Sequence, residues 1–143
     1  MTTFSGTFSG RVESQAALSV GDQAGHDMLL AQVRGPQQSA DPNWNNATIT
    51  YSAVLDLVAG NGTQRGYFVN THVDGDRDWG TFEGPVRPVD GELRCNGTWE
   101  SRGGTGRYQG LSGSGSFSMR MTSPETVETS WEGAYELGVV AAG

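Results

Sequence analysis

The stretch Gly103-Gly104-Thr105-Gly106-Arg107-Tyr108-Gln109-Gly110-Leu111-Ser112-Gly113-Ser114-Gly115 decides the fold. Glycine tolerates positive φ and allows other backbone to approach closely, so six glycines in this segment predict a tightly folded corner rather than a loose linker. A strand-like segment ends before the corner and another begins inside it. We interpret the corner as scaffold that turns one strand into the next and plugs one end of the fold with Tyr108 and Leu111.

A phosphate-binding loop is the alternative for this segment, because glycine-rich backbone can hold phosphate oxygens where a helix follows. The spacing excludes it. A Walker loop ends in Gly-Lys-Ser/Thr and the chain contains no lysine, while Gln109 stands where a dinucleotide fingerprint needs its third glycine. Residues 112–122 alternate with a period of two, so a strand follows the corner.

Composition limits the class of protein. The 143 residues predict one domain, 1–143, with 138–143 as a flexible tail. A net charge of −7 and nine scattered arginines argue against a nucleic-acid partner. The single cysteine, Cys95, cannot form an internal disulfide, and neither a signal peptide nor a run of apolar residues long enough for a membrane span is recognisable. We therefore expect a cytoplasmic protein without a membrane partner.

Alternating patterns predict seven to nine strands and no convincing helix. The predicted strands cover residues 3–14, 26–33, 47–59, 63–73, 79–86, 92–101, 112–122 and 127–137, with 15–20 as a continuation of the first or a short separate strand. Residues 26–33 also fit a short helix, and 35–46 form the longest predicted loop, a candidate lid or mouth. The pattern favours an all-β antiparallel up-and-down barrel of about eight strands, or a sandwich.

The acidic run from Asp74 to Asp78 has the spacing of a calcium loop. Trp79 stands where that loop needs glycine, and Pro85 where it needs a bidentate glutamate. We therefore interpret the run as a polar hairpin turn and predict no metal site.

The glycine corner, preceded by Gly97-Thr98-Trp99 and followed by Ser116-Phe117, resembles the signature of the allene oxide cyclase barrel superfamily, which includes plant dirigent proteins and small bacterial relatives. The resemblance covers residues 45 to 137 in strand order. It implies an eight-stranded antiparallel barrel with an apolar cavity, a homodimer or homotrimer, and, in members that are enzymes, cyclisation, isomerisation or radical coupling of hydrophobic substrates without a cofactor. His26-Asp27 resembles the His-Asp pair of dirigent proteins, whose aspartate is associated with acid–base chemistry, although Arg107 departs from their pattern.

Acid–base chemistry by a carboxylate, tyrosine or histidine inside an apolar barrel is the reaction type that the sequence permits. Glu83 is the first catalytic candidate, because it lies inside the barrel if Trp79 does; the alternative is that Phe82 fills the core and Glu83 is solvated. The face of the strand before is equally open: either Tyr67 and Val69 face inward, or Asn70 and His72 do. The candidate catalytic residues are Glu83, Asp27, Tyr51 and His72, and the candidate substrate-binding residues are Tyr67, Asn70, Trp79, Trp99, Phe117, Trp131 and Tyr135.

Three functional hypotheses follow. The first is a cofactor-independent cyclase, isomerase or lyase that acts on a small hydrophobic, oxygenated or aromatic molecule in the barrel. The second is a binding protein of the same shape without catalysis, and the third is an assembly protein whose barrel is filled by side chains. An enzyme requires a desolvated ionisable group beside a cavity, a carrier needs only apolar walls and a neutral donor, and the third has no cavity.

Overall fold

Eight antiparallel strands follow one another along the chain and close into a barrel in the computed structural model, which describes residues 1–138. Each strand pairs with the next, and the last pairs with the first. The strands are β1 (Thr2–Ser19), β2 (His26–Ser39), β3 (Thr48–Val58), β4 (Asn61–Thr71), β5 (Arg77–Val89), β6 (Glu92–Gly104), β7 (Ser112–Ser123) and β8 (Thr126–Glu136). The predicted up-and-down barrel is confirmed, and the sandwich is wrong. Residues 139–143, most of the predicted tail, lie outside the described part.

The β1–β2 hairpin is longer than the sequence pattern predicted. β1 continues through residues 15–19, and β2 continues past Gly35 and Pro36 to Ser39, so the loop is shorter than the predicted 35–46. Proline has no N–H to donate to a neighbouring strand. Pro36 is tolerated because β2 is not paired with β1 at this point, between the pairs Phe8–Gln37 and Arg11–Arg34. The helical alternative for residues 26–33 is also wrong.

The glycine corner turns β6 into β7, as predicted. A short 3₁₀ turn, Gly106–Tyr108, lies at its centre, and Gly106 has a positive φ of 54°. Tyr108 and Leu111 are buried in an apolar cluster with Trp44 and Tyr135 that closes this end of the barrel. We call these four residues the end cluster. A second, larger cluster fills the opposite end with residues such as Leu57, Val86, Cys95, Met119 and Val127.

Inside the barrel, large aromatic side chains alternate with glycines along several strands, as in Phe4-x-Gly6-x-Phe8 of β1 and Gly80-x-Phe82-x-Gly84 of β5. A Cβ atom on Gly80 would collide with the Glu100 carbonyl of β6, so the neighbouring strand occupies the space that a side chain would need. The aromatic rings cover the glycine positions of the inner wall, which carry no side chain. Among residues 1–138, no helix is long and apolar enough to cross a membrane.

Candidate functional site

A cavity of about 110 Å³ lies inside the barrel. Most of its wall is aromatic, formed by Phe4, Phe8, Trp44, Tyr51, Phe68, Phe82, Trp99, Phe117 and Trp131. The polar side chains on the wall are Gln37, Gln64, Asn70, Asp78, Ser101 and Thr129. An apolar chamber with a few polar groups is typical of a small-molecule site. The interior is therefore not completely filled by side chains, as the third hypothesis would require.

The polar end of the cavity is built across the β4–β5 hairpin. Asn70 and Asp78 face each other in the strand register, and both side chains point inward because the alternation places them on the same face as Phe68 and Phe82. Asp78 is 1 % exposed. A carboxyl group buried this deeply is rare in proteins unless it is paired.

Asp78 is held through both of its carboxyl oxygens. Oδ1 accepts a hydrogen bond of 2.9 Å from Nδ2 of Asn70, and Oδ2 lies 2.5 Å from Nε2 of His72. His72 is itself buried, at 5 % exposure, and does not line the cavity. Asp78 therefore contacts the cavity while His72 supports it from behind.

Tyr108 of the end cluster holds the other side of His72. The two rings stack at 4.0 Å with an angle of 15° between their planes. The Tyr108 hydroxyl lies 2.6 Å from the Asn43 carbonyl oxygen and 3.1 Å from His72 Nδ1. Burial raises the pKa of this hydroxyl, so it stays protonated at neutral pH.

The donors and acceptors in these contacts favour one arrangement of the protons. A carbonyl oxygen cannot donate, so the Tyr108 proton points to Asn43 and His72 Nδ1 carries the proton that it donates to Tyr108. The 2.5 Å contact between His72 and Asp78 needs one further proton. The pair is therefore either imidazolium with carboxylate or neutral imidazole with carboxylic acid, and one proton transfer interconverts the two forms.

Asn70 leaves one group free at this end of the cavity. Its Nδ2 donates to Asp78, but its Oδ1 is buried and has no hydrogen-bond partner among residues 1–138. A buried acceptor without a donor costs about 1–3 kcal/mol, and a bound molecule with an O–H or N–H group would remove that cost.

The loop between β2 and β3, residues 40–47, covers this end of the barrel. Asn43 receives the Tyr108 hydrogen bond through its carbonyl, accepts a bond of 2.8 Å from Arg107 through Oδ1, and donates one of 3.2 Å to the Tyr135 hydroxyl. Tyr135 donates in turn to Asp41 at 2.6 Å. Burial, together with the bond to Asp41, raises the pKa of the Tyr135 hydroxyl. The loop is thereby fixed to the end cluster.

Five predicted site residues line the cavity: Tyr51, Asn70, Trp99, Phe117 and Trp131. Two more are buried without lining it, His72 behind Asp78 and Tyr135 in the end cluster.

The remaining four predicted site residues do not line the cavity. Glu83 is exposed on the outer surface because Phe82 occupies the interior, which was the stated alternative. Tyr67 and Trp79 share that outer face and are 69 % and 37 % exposed. Asp27 is exposed near the far end of the β1–β2 hairpin. For Glu83, Tyr67 and Trp79 the open choice of face is thus decided: they lie outside the barrel, because β4 and β5 turn Asn70 and Asp78 inward instead.

His26, next to Asp27, belongs to a separate cluster at that far end. Its Nδ1 lies 2.7 Å from Asp22 and its Nε2 lies 2.6 Å from Asp56. These hydrogen bonds, with Asp22 first, raise the pKa of His26, and the bond to His26 lowers the pKa of Asp22. Asp27 takes no part in the hydrogen bonds of this cluster.

Sequence reasoning missed five of the six polar wall residues, namely Gln37, Gln64, Asp78, Ser101 and Thr129. Asp78 was assigned to a polar turn because it ends the acidic run that begins at Asp74. A signal was present: once the hairpin turns at Gly75, Asn70 and Asp78 fall opposite each other, and residues 80, 82, 84 and 86 continue the apolar and glycine face of Asp78. Within residues 1–138, no group of three or more His, Cys, Asp or Glu side chains is arranged to hold a metal ion.

No protein-family model matches the chain, and no curated protein matches its sequence.

Proposed function

We propose that the chain is a cofactor-independent isomerase, cyclase or lyase that acts on a small, largely apolar molecule with an oxygen group, and that Asp78 is its acid–base residue. One observation carries the proposal: a carboxyl group with 1 % exposure contacts an aromatic-walled cavity and lies 2.5 Å from Nε2 of His72. Ionisable groups buried beside a cavity are typical of catalytic sites.

The His72–Asp78 pair supplies the proton chemistry. With the shared proton on His72, Asp78 is a carboxylate that accepts a proton from the bound molecule. With a proton on its carboxyl group, Asp78 returns it to another atom of the same molecule, and the net result is an isomerisation. His72 stabilises the carboxylate form through the 2.5 Å contact, and Tyr108 and Asn43 hold the imidazole in place.

The aromatic wall has two roles in this scheme. It excludes water, which strengthens the interaction of Asp78 with a developing charge on the substrate. It also restricts a small planar molecule to a few orientations, with Asn70 Oδ1 as the free acceptor beside Asp78.

Deuterium exchange tests the proposal without knowledge of the natural substrate. A panel of small ketones and enones, including cyclohexanone and 3-cyclohexenone, is incubated with the protein in D₂O and followed by NMR. A base in the cavity breaks a C–H bond beside the carbonyl, the proton moves to Asp78, and deuterium from solvent is returned to carbon. General acid–base catalysis typically contributes about 10²–10⁴-fold, so Asp78→Asn should lose most of the exchange above buffer.

Glu83→Gln is the matched control, because it makes the same carboxylate-to-amide change on the outer surface. It should exchange at the wild-type rate. Equal exchange by Asp78→Asn and wild type would exclude Asp78 as the acid–base residue. No exchange above buffer with any member of the panel would argue against catalysis on carbonyl compounds.

A binding protein without catalysis is the second candidate. Both carboxyl oxygens of Asp78 already accept or share hydrogen bonds inside the protein, which also suits a structural role. For such a carrier, Asp78→Asn would bind the panel compounds as wild type does, and neither protein would accelerate exchange.

A further inference from the structure

The second half of β1 extends beyond the strand that pairs with its first half. β1 pairs with β8 only as far as Arg11, which lies opposite Thr126 at the start of β8. Residues 14–19 of β1 pair with β2 alone. Every residue from 13 to 20 is exposed. We call residues 14–19 the free edge.

The backbone of the free edge has hydrogen-bonding groups directed away from the barrel. The N–H of Val20 points toward β2, where it donates to the His26 carbonyl, and the direction of these groups alternates along an antiparallel ladder. Gln15, Ala17 and Ser19 therefore direct their N–H and C=O groups to the other side. No strand among residues 1–138 pairs with them there. Such an edge is a template for a further strand.

A strip of exposed apolar side chains accompanies the free edge. In the register of β1 and β2, Leu18 lies opposite Met28. Ala16 lies opposite Leu30, two positions along each strand, so all four side chains share one face. Leu18 and Leu30 are 66 % and 58 % exposed. Large apolar side chains that form one exposed patch are typical of an interaction surface.

The charge and composition of the free edge suit pairing with a second copy of the same chain. The chain has a net charge of −7, yet no charged residue lies between Glu13 and Asp22. Two copies can therefore meet at this edge without like charges directly opposite each other. Lysine, proline and bulges protect edges that must stay unpaired, and residues 14–19 contain none of these.

We infer that the free edges of two copies pair with each other, antiparallel and across a two-fold axis, to form a homodimer. An axis at Ala17 places Gln15 of one copy opposite Ser19 of the other, so all the outward N–H and C=O groups of these three residues gain partners. The same register places Leu18 of one copy beside Ala16 of the other, and the two apolar strips become one. The paired edge is only about 20 Å long, so the dimer is reversible and its population depends on concentration.

Sedimentation velocity on the full chain, from about 1 μM to about 500 μM, tests the dimer. Wild type should shift from monomer to dimer as the concentration rises. Ala17→Pro removes an outward N–H but keeps the bonds between β1 and β2, and Leu18→Lys places a charge in the apolar strip. Each should weaken dimerisation about tenfold or more. Val73→Lys is the matched control, because it makes the same kind of change on an exposed side chain between β4 and β5, and it should dimerise as wild type does.

Cysteine cross-linking locates the axis and remains decisive if Ala17→Pro fails to fold, as judged by circular dichroism. In the inferred register the two copies of Ala17→Cys have Cα atoms about 5.5 Å apart, within disulfide range, so copper phenanthroline should oxidise them to a covalent dimer. Ser14→Cys is the control, since its two copies lie about 20 Å apart and should not cross-link.

Three results would overturn the inference. The first is a wild type that stays monomeric at the highest concentration. The second is a dimer that neither Ala17→Pro nor Leu18→Lys weakens, since its interface would lie elsewhere. The third is equal cross-linking of Ala17→Cys and Ser14→Cys, which would exclude the register centred on Ala17.

Discussion

Replacing Tyr108 by phenylalanine should destabilise the protein through the loss of one oxygen atom. The ring stays in place, so its stacking on His72 and its contact with Trp44 remain. The substitution removes the partner of the Asn43 carbonyl at 2.6 Å and of His72 Nδ1 at 3.1 Å. It thereby separates the hydrogen bonds of this tyrosine from its packing.

The magnitude follows from the two groups left without partners. Each unsatisfied buried group costs about 1–3 kcal/mol, and the Asn43 carbonyl lies in a half-buried loop where water can replace part of the bond. A total of about 2–4 kcal/mol is expected. At about 3–4 °C per kcal/mol for a chain of this length, Tm should fall by about 6–16 °C.

Thermal unfolding followed by circular dichroism measures this loss. Tyr67→Phe is the control, because it makes the same chemical change on a side chain that is 69 % exposed, and its Tm should stay within about 1 °C of wild type. If Tyr108→Phe melted together with the control, the hydroxyl would not be fixing the loop to the barrel, and the assignment of the His72 protons would lose its basis.

Three further predictions concern the glycine corner, the hairpin end and the buried thiol. Gly106→Ala should lower the free energy of unfolding in urea by about 1–2 kcal/mol, because its φ is positive and an added Cβ would also displace the Asp76 carboxylate. Gly21→Ala, which has positive φ and open space, should cost about 1 kcal/mol, and a larger loss at Gly21 than at Gly106 would contradict this. Asp22 raises the pKa of His26. The stability that protonated His26 gives the fold is therefore complete below its unfolded pKa of about 6.5, provided Asp22 is ionised. That stability is lost as the pH rises through the folded pKa of His26. His26→Gln should therefore lower Tm at pH 5.5 and approach wild type above about pH 8, and a difference independent of pH would exclude the ionic contribution. Burial raises the pKa of Cys95 to about 11. A thiol reagent at about pH 8 should therefore label this cysteine only after unfolding. Rapid labelling of the native protein would instead show that the interior opens.

The architecture could be predicted because most strands carry an unambiguous alternation. In β3, Ile49, Tyr51 and Leu55 alternate with threonine, serine and aspartate, so only one face can be buried. Gly35 and Pro36 misled the prediction of where β2 ends. Glycine and proline usually indicate the end of a strand, but here both lie where β2 and β1 are not paired. At Gly35, the Ser9 carbonyl occupies the position that a Cβ would take.

The candidate site was harder to predict for a physical reason. In a sequence, the inner face of a strand is recognised by its apolar residues. A cavity with polar groups on its wall instead places polar residues on that inner face. In β4, the face with Tyr67 and Val69 is more apolar than the face with Asn70 and His72, yet the second face lies inside the barrel, so residue type alone does not identify the inner face. Only the packing of Phe68 and Phe82 inside the barrel determines it, and that packing depends on strands distant in sequence.

The alternation of aromatic rings and glycines also limits how such a barrel can diverge under selection. Shortening one ring, such as Phe82 or Phe117, opens a space of ring size in a single mutational step. Adding a side chain at Gly80 or Gly66 would instead displace the adjoining strand, because a backbone carbonyl already occupies that position. A barrel with this interior would therefore change the size of its cavity in large, discrete steps, while the outline of its wall stays almost unchanged.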